Sequence, residues 1–133
     1  MAATVNDRPM ATPNASVDVR FVGGANLPTR YLRMNATWPL AVLAVNDGRL
    51  SLRLRGPLQR AGGVPLDAAP ADIARVFPTR RMWTKGVGFT DRTGREWYFW
   101  TRQVQRVLTV LDEHGYAVTN VAQKAGKVWR GTP

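Results

Sequence analysis

Apolar and polar residues change their spacing several times along this chain of 133 residues, and each change marks an element. From Arg49 to Arg55 they alternate strictly. Leu50, Leu52 and Leu54 share one side and Arg49, Ser51, Arg53 and Arg55 the other, as in a strand with one dry and one wet face. Before it, Trp38 to Val45 is apolar at nearly every position, which predicts a strand buried on both faces or at a sheet-to-sheet corner; Pro39 assigns its start to a sheet edge or strand opening. Asn46-Asp47-Gly48 joins the two with residues that accept the positive φ of a tight hairpin. Ser16 to Val22 alternates more weakly, with Val17, Val19 and Phe21 on one side, and Gly23-Gly24 reads as the turn that ends it. Thr29 to Met34 offers a short piece around Tyr31 and Leu32.

The second half begins ambiguously. Propensity reads Pro70 to Phe77 as a helix start, but the strand rhythm on either side and Pro78 favour a strand with Ile73, Arg75 and Phe77 on one side. Met82 to Thr90 follows as a strand, with Trp83, Lys85, Val87 and Phe89 on one face and Gly86 and Gly88 on the other. Paired glycines on one face predict a close packing partner or a sharp bend, and the C-terminal helix is the candidate partner. Asp91-Arg92-Thr93-Gly94 is a turn, because Asp bonds its own backbone and Gly accepts positive φ. Glu96-Trp97-Tyr98-Phe99-Trp100 then needs cover on both faces. Val104, Val107, Leu108 and Leu111 recur at helical spacing, with Arg102, Gln105, Arg106 and Thr109 mostly opposite, and Gly115 caps the helix.

These elements predict an α+β, mainly β fold: a small antiparallel sandwich or partly open barrel closed by one C-terminal helix. Residues 1–16 read as a flexible arm, 17–118 as the domain, with a short extended segment at Tyr116-Ala117-Val118, and 119–133 as a basic tail. The size suits one core, no apolar run is long enough to span a bilayer, and the first residues lack the pattern of a secretory signal. A cytoplasmic location is the resulting expectation. The chain has no cysteine, which removes disulfides, thiolate nucleophiles and Cys-based zinc sites. Its net charge of +10 rests on 16 Arg and 3 Lys against nine acids. That balance attracts polyanions, and it is equally what an Ala, Arg, Gly and Val-rich composition produces on any exposed face.

The hairpin from Leu40 to Leu54 around Asp47-Gly48, the pair Val87-Gly88-Phe89 and Trp97-Tyr98-Phe99-Trp100 around the turn at Asp91 to Gly94, and the helix Val104 to Leu111 together resemble the pleckstrin-homology-like (PH-like) superfold, including its bacterial and GRAM-like members. The resemblance implies a non-catalytic module that binds lipid headgroups, peptides or proteins. Arg53-Leu54-Arg55 is similar to the second half of the family's basic lipid-binding pattern, while the short turn at Asp47 departs from its first half.

Chemistry of the catalytic kind has little support. The one histidine, His114, stands at a helix end, where the helix dipole favours it, and Ser16 and Ser51 supply no triad with it. No cofactor or metal is expected. For binding, Trp97 to Trp100 reads as core rather than as a base-stacking platform, with Tyr98 or Trp100 the candidate for exposure. Trp83 beside Arg80, Arg81 and Lys85 is the better surface candidate, against the plain alternative of a Trp covering the barrel mouth among solvated arginines. The candidate contact residues are therefore Arg53, Arg55, Arg80, Arg81, Trp83 and Lys85. The expected role is binding a protein or peptide, through a sheet edge or the groove beside the helix, and Trp38 to Val45, as a long edge strand, is a place where a second copy could pair. Binding to anionic membrane lipid, or to nucleic acid through the arginine-rich surface, is the alternative.

Overall fold

The computed structural model describes residues 19–29, 32–46, 48–56, 63–120 and 123–124. The strands are β1 (Val19–Pro28), β2 (Arg33–Asn46), β3 (Arg49–Leu54), β4 (Leu66–Ala68), β5 (Ile73–Arg81), β6 (Thr84–Asp91) and β7 (Glu96–Trp100), followed by the helix α1 (Val104–Glu113) and the two-residue β8 (Gln123–Lys124). They form one sheet in the order β4-β3-β2-β1-β7-β6-β5-β8, antiparallel throughout except for β8, which adds parallel to β5. β8 falls within the stretch read as the basic tail. The fold is thus α+β, mainly β, as the patterning predicts.

Sheet order alone requires curvature. β4 and β5 lie six strand spacings apart along the sheet, about 29 Å if it were flat. The link from Ala68 to Ile73, through the 3-10 turn Pro70–Asp72, spans at most about 18 Å. The sheet must therefore curl until its two ends approach, which creates an inner face. Leu43, Leu50, Leu52, Ile73, Val76, Val87, Phe89, Trp97 and Phe99 fill that face, and Val107, Leu108 and Leu111 of α1 close it. Side chains bridge the remaining seam: Trp97 Nε1 donates to the Val64 carbonyl at 2.8 Å, and the Tyr116 hydroxyl to that of Ala68 at 3.2 Å. Burial pushes the Tyr116 phenol up to about 12.

Several expectations need correction. Gly23-Gly24 does not turn the chain, because β1 runs through both residues to Pro28. A Cβ on Gly23 would lie 2.2 Å from the Trp100 carbonyl oxygen, and one on Gly24 2.6 Å from that of Ala36, so glycine here admits two neighbouring strands. β2 is not an edge strand: it lies between β1 and β3. Pro39 is accommodated because Gly23 pairs with Ala41 and Ala25 with Ala36, leaving Thr37 to Leu40 without register partners in β1. Nor is β2 buried on both faces, since Ala41, Leu43 and Val45 are buried while Val42 and Ala44 are half-exposed. The Asn46 to Gly48 hairpin and the alternation of β3 are as expected. Asp47, Tyr31 and residues 16–18 lie outside the described residues.

In the second half, residues 73–81 are a strand, extending through Pro78. Its register shifts between Ile73 and Arg75, so Ala74 is an extra residue and Ile73 and Phe77 end on opposite faces, contrary to the simple alternation. Arg81 pairs with Thr84, so Met82-Trp83 is a two-residue hairpin turn and not the start of a strand. Gly86 and Gly88 do meet close neighbours, but on the outer face: a Cβ there would lie 2.7 Å from the Trp100 ring and 2.3 Å from the Phe77 ring respectively. The helix packs on the opposite side. Gly94 and Gly115 both carry the positive φ expected of them, 95° and 89°.

The turn that launches β7 is held by one carboxylate. Asp91 Oδ1 accepts from Thr93 N and Arg95 N, both at 2.9 Å, and from Thr93 Oγ1 at 2.7 Å. Burial alone would raise its pKa, but these bonds and the Arg95 charge outweigh it and lower the value. A carboxylate whose folded pKa is depressed stabilises above its unfolded pKa and loses that contribution as pH falls. Asp91→Ala is therefore expected to cost about 1–2 kcal/mol at neutral pH, with the gap to wild type closing on acidification below pH 3.8, the ordinary Asp value, as read from urea melts at each pH. Gly88→Ala drives a methyl into Phe77 and is expected to cost about 1–3 kcal/mol; an unchanged melting temperature would contradict the close approach.

Candidate interaction surface

Three groups of side chains carry the features expected of a binding surface. The first lies on β3, where Arg49 and Arg53 are exposed on the face away from the core, with exposed Arg55 just beyond the strand's end. Asp67 on β4 faces them, 2.7 Å from Arg49 Nη2 and 3.6 Å from Arg53 Nη2. Its hydrogen bond raises the Arg49 pKa. Arg55 Nη1 donates to the Pro39 carbonyl at 3.2 Å. A hollow lined by Leu27, Arg53, Leu54, Gly63 and Pro65 holds about 60 Å³, well below the roughly 300 Å³ at which small-molecule pockets begin. The cations of this wing are thus partly neutralised locally.

The second group is the outer face of β7 and its neighbours, which sequence reasoning missed because it ended β1 at Gly23. Register places Phe77, Gly88, Tyr98, Asn26 and Asn35 in one cross-strand row. Tyr98 stacks on Trp100 at 5.8 Å and meets the Phe77 ring edge-on at 6.4 Å. The guanidinium of Arg33 lies 5.3 Å from the Tyr98 ring centre and that of Arg75 5.3 Å from that of Phe77. Arg33 Nη2 donates to the Glu96 carbonyl at 2.6 Å, and its Nε to Asn26 Oδ1. Desolvation lowers the Arg33 pKa, opposed by Tyr98 and Glu96. Trp100 Nε1 donates to Asn35 Oδ1 at 3.1 Å. Tyr98 and Trp100 are both buried, so neither is the exposed aromatic of this strand. The Tyr98 hydroxyl donates to Glu96 Oε1 at 2.6 Å, and Glu96 Oε2 is buried without a hydrogen-bond partner.

The third group is the tip of the β5–β6 hairpin, which overhangs the sheet. β7 ends at Trp100 opposite Gly86, so Thr84 and Lys85 extend beyond it with Arg80 and Arg81. The Thr101 N–H reaches back to this segment, donating to the Lys85 carbonyl at 3.0 Å, and β8 pairs alongside Arg80 through Lys124. At the turn, Met82 has φ +54° and is 75% exposed, and Trp83 is 88% exposed. Arg80 pairs directly with Lys85, placing both on the face that carries Val87, while Arg81 pairs with Thr84 on the other. Among the described residues no carboxylate forms a salt bridge with Arg80, Arg81 or Lys85. The structure thus brings four candidates together, Arg80, Arg81, Trp83 and Lys85, and places Arg53 and Arg55 on a different wing. Met82 was missed because Arg-Arg-Met-Trp-Thr-Lys contains no turn-forming residue.

Among the described residues there is no group of three or more His, Cys, Asp or Glu that could hold a metal ion, and no helix long and apolar enough to cross a membrane. His114 Nδ1 lies 2.8 Å from the Val110 carbonyl oxygen at the end of α1. No known protein family and no curated protein matches the chain. For the outer face, Tyr98→Phe strips the buried Glu96 carboxyl of its hydroxyl donor and is expected to cost about 1–3 kcal/mol. In a double-mutant cycle with Glu96→Gln the two losses should fall short of adding; strict additivity would mean that the contact contributes nothing.

Proposed function

We propose that this chain is a non-catalytic interaction module of the PH-like type, and that it docks on an acidic partner surface through the β5–β6 turn. The curled antiparallel sheet with its C-terminal helix is compatible with that superfold, whose members serve as binding platforms more than as enzymes. The observation that carries the docking reading is the coincidence of an exposed Trp83 with three cations that form no salt bridge with any carboxylate among the described residues. Arg53 and Arg55, by contrast, share their wing with Asp67.

The expectation of a protein or peptide added at a sheet edge finds less support. β4 is only three residues long and flanked by Pro65 and Pro70. On the other edge, the Val76 N–H is bonded to Ala117, the Val76 carbonyl accepts from Thr119, Pro78 has no N–H, and β8 covers Thr79 and Arg80. A partner must therefore meet side chains, and those of Met82 and Trp83 at the hairpin tip are exposed.

Immobilised heparin, a generic polyanion, locates the docking element by matched charge reversals. Arg80→Glu with Arg81→Glu should bring elution to much lower salt than Arg49→Glu with Arg53→Glu, although both pairs change the net charge equally. Equal shifts from both pairs would leave only the overall charge and sink the assignment to the tip.

A further inference from the structure

Independently of the docking reading, we infer that Trp100, Tyr98 and Glu96 form a one-electron oxidation site, in which an oxidising equivalent taken up at Trp100 comes to rest on Tyr98 as its phenolic proton passes to Glu96. Two features of the outer face of β7 go unexplained by packing. A carboxyl opens an otherwise aromatic strand: Glu96 is 5% exposed, and among the described residues no guanidinium forms a salt bridge with it. Arg33 donates instead to its backbone carbonyl, and Arg75, two strands away in the same row, lies over the Phe77 ring. Arg75 Nε, Thr90 Oγ1 and Glu96 Oε2 are also buried without hydrogen-bond partners, and register sets the three residues in that one cross-strand row. Unsatisfied buried polar groups are costly and rare, and a redox role is among the reasons a fold keeps them.

The geometry supplies each part that the step needs. Tyr98 and Trp100 lie 7° from parallel with ring centres 5.8 Å apart, an offset stack. Trp100 is the more exposed of the two, 9% against 1%, and its Nε1–H is held by Asn35 Oδ1. The Tyr98 hydroxyl donates to Glu96 Oε1 at 2.6 Å, within reach of direct proton transfer. A one-electron oxidant removes an electron from the Trp100 indole and is itself reduced. Tyr98 then returns an electron to Trp100 while its proton crosses to Glu96 Oε1, which leaves a restored indole, a neutral tyrosyl radical and a neutral carboxylic acid. Without that transfer a phenol radical cation would be stranded in a buried cluster, 5.3 Å from the Arg33 guanidinium. The carboxyl, once protonated, is a donor as well as an acceptor, and the unpartnered Thr90 Oγ1 stands opposite it in register. The titratable and charged groups around it are Tyr98 on its own strand, Arg33 on β2 and Arg75 on β5.

The test oxidises the full chain with photogenerated ruthenium(III) tris-bipyridine, a one-electron oxidant, and follows the radicals by transient absorption and by EPR after freeze-trapping. The reference chain carries Trp38→Phe, Trp83→Phe and Trp129→Phe, which leaves Trp97 and Trp100 as its indoles. It should yield a tyrosyl radical at a rate independent of buffer concentration, because the proton acceptor is internal. Adding Tyr98→Phe should abolish that signal, and adding Trp100→Phe should slow its appearance. Glu96→Gln keeps the shape and an oxygen acceptor without a carboxylate to take the proton. Its tyrosyl yield should fall about tenfold or more, its tryptophan radical should live longer, and the remaining tyrosyl should form faster as buffer base is added. A carboxyl that merely holds Tyr98 in place would leave the buffer dependence unmoved. A radical that stays on tryptophan in the reference chain, or a tyrosyl signal that survives Tyr98→Phe, would overturn the site. Unchanged yield and buffer independence in Glu96→Gln would overturn the carboxyl as proton acceptor. If a variant fails to fold, wild type with ring-deuterated tyrosine decides: the EPR signal should narrow, and formation that speeds up with buffer base would contradict an internal acceptor.

Discussion

β7 has to be covered on both faces at once, and the rest of the molecule is arranged around that demand. Trp97 and Phe99 belong to the inner core, Tyr98 and Trp100 to a separate outer cluster with Phe77. The inner pair requires a curled sheet and a helix to close it, which the short link from β4 to β5 and the apolar stripe of α1 supply. The outer cluster requires backbone that large rings can approach closely, which Gly86 supplies for Trp100 and Gly88 for Phe77. On the other flank Gly23 and Gly24 let β1 pass between β2 and β7 without a clash. Each aromatic in β7 thus has a counterpart elsewhere in the chain, and burial of rings this size dominates the apolar gain of a small domain.

A firmly held central strand has a consequence for its neighbours. β6 is anchored where it flanks β7 and loses that support beyond Gly86, and β8 reaches β5 only as far as Arg80, so among the described residues the hairpin's last pair, Arg81 with Thr84, has no further strand beside it. Isolated ribbons are marginal in water, and this one also carries a disfavoured φ and a pair of cations directly opposite each other. Its persistence draws on the stability of the body behind it, as local strain at functional sites generally does. Of the outer aromatic cluster, Trp100 stands opposite Gly86 at the ribbon's root.

Much of the architecture was legible because periodicity is a local property. The alternation of Leu50, Leu52 and Leu54, the Asp91 turn, the aromatic run and the helical stripe each state their structure within a few residues, and the fold class follows from their order. What was misread depends on neighbours distant in sequence. Gly23-Gly24 has the composition of a turn, and only the approach of β7 and β2 shows that the glycines serve contact. Ala74 shifts the register of β5 without any mark in its identity. Pro39 suggested an edge because nothing local reveals that four residues of β2 go unpaired there. Of the candidate contact residues, Arg80, Arg81, Trp83 and Lys85 were recognised by charge and an aromatic in close sequence, but their place on a turn was hidden, since Met82-Trp83 follows no turn preference. Asp67, which neutralises the β3 arginines, lies on a strand too short to be read from the sequence.

Native-state amide hydrogen exchange, resolved by residue, tests the organising claim most directly, because it measures opening free energy element by element. The doubly covered strand should set the upper limit: Trp97 to Phe99 are expected to exchange only through global unfolding, while Thr84, Lys85 and the turn amides at Met82 and Trp83 exchange orders of magnitude faster. A β7 that exchanges as readily as the hairpin tip, or protection spread evenly over β5 and β6 to their ends, would contradict the picture of a rigid aromatic spine carrying a loosely held ribbon.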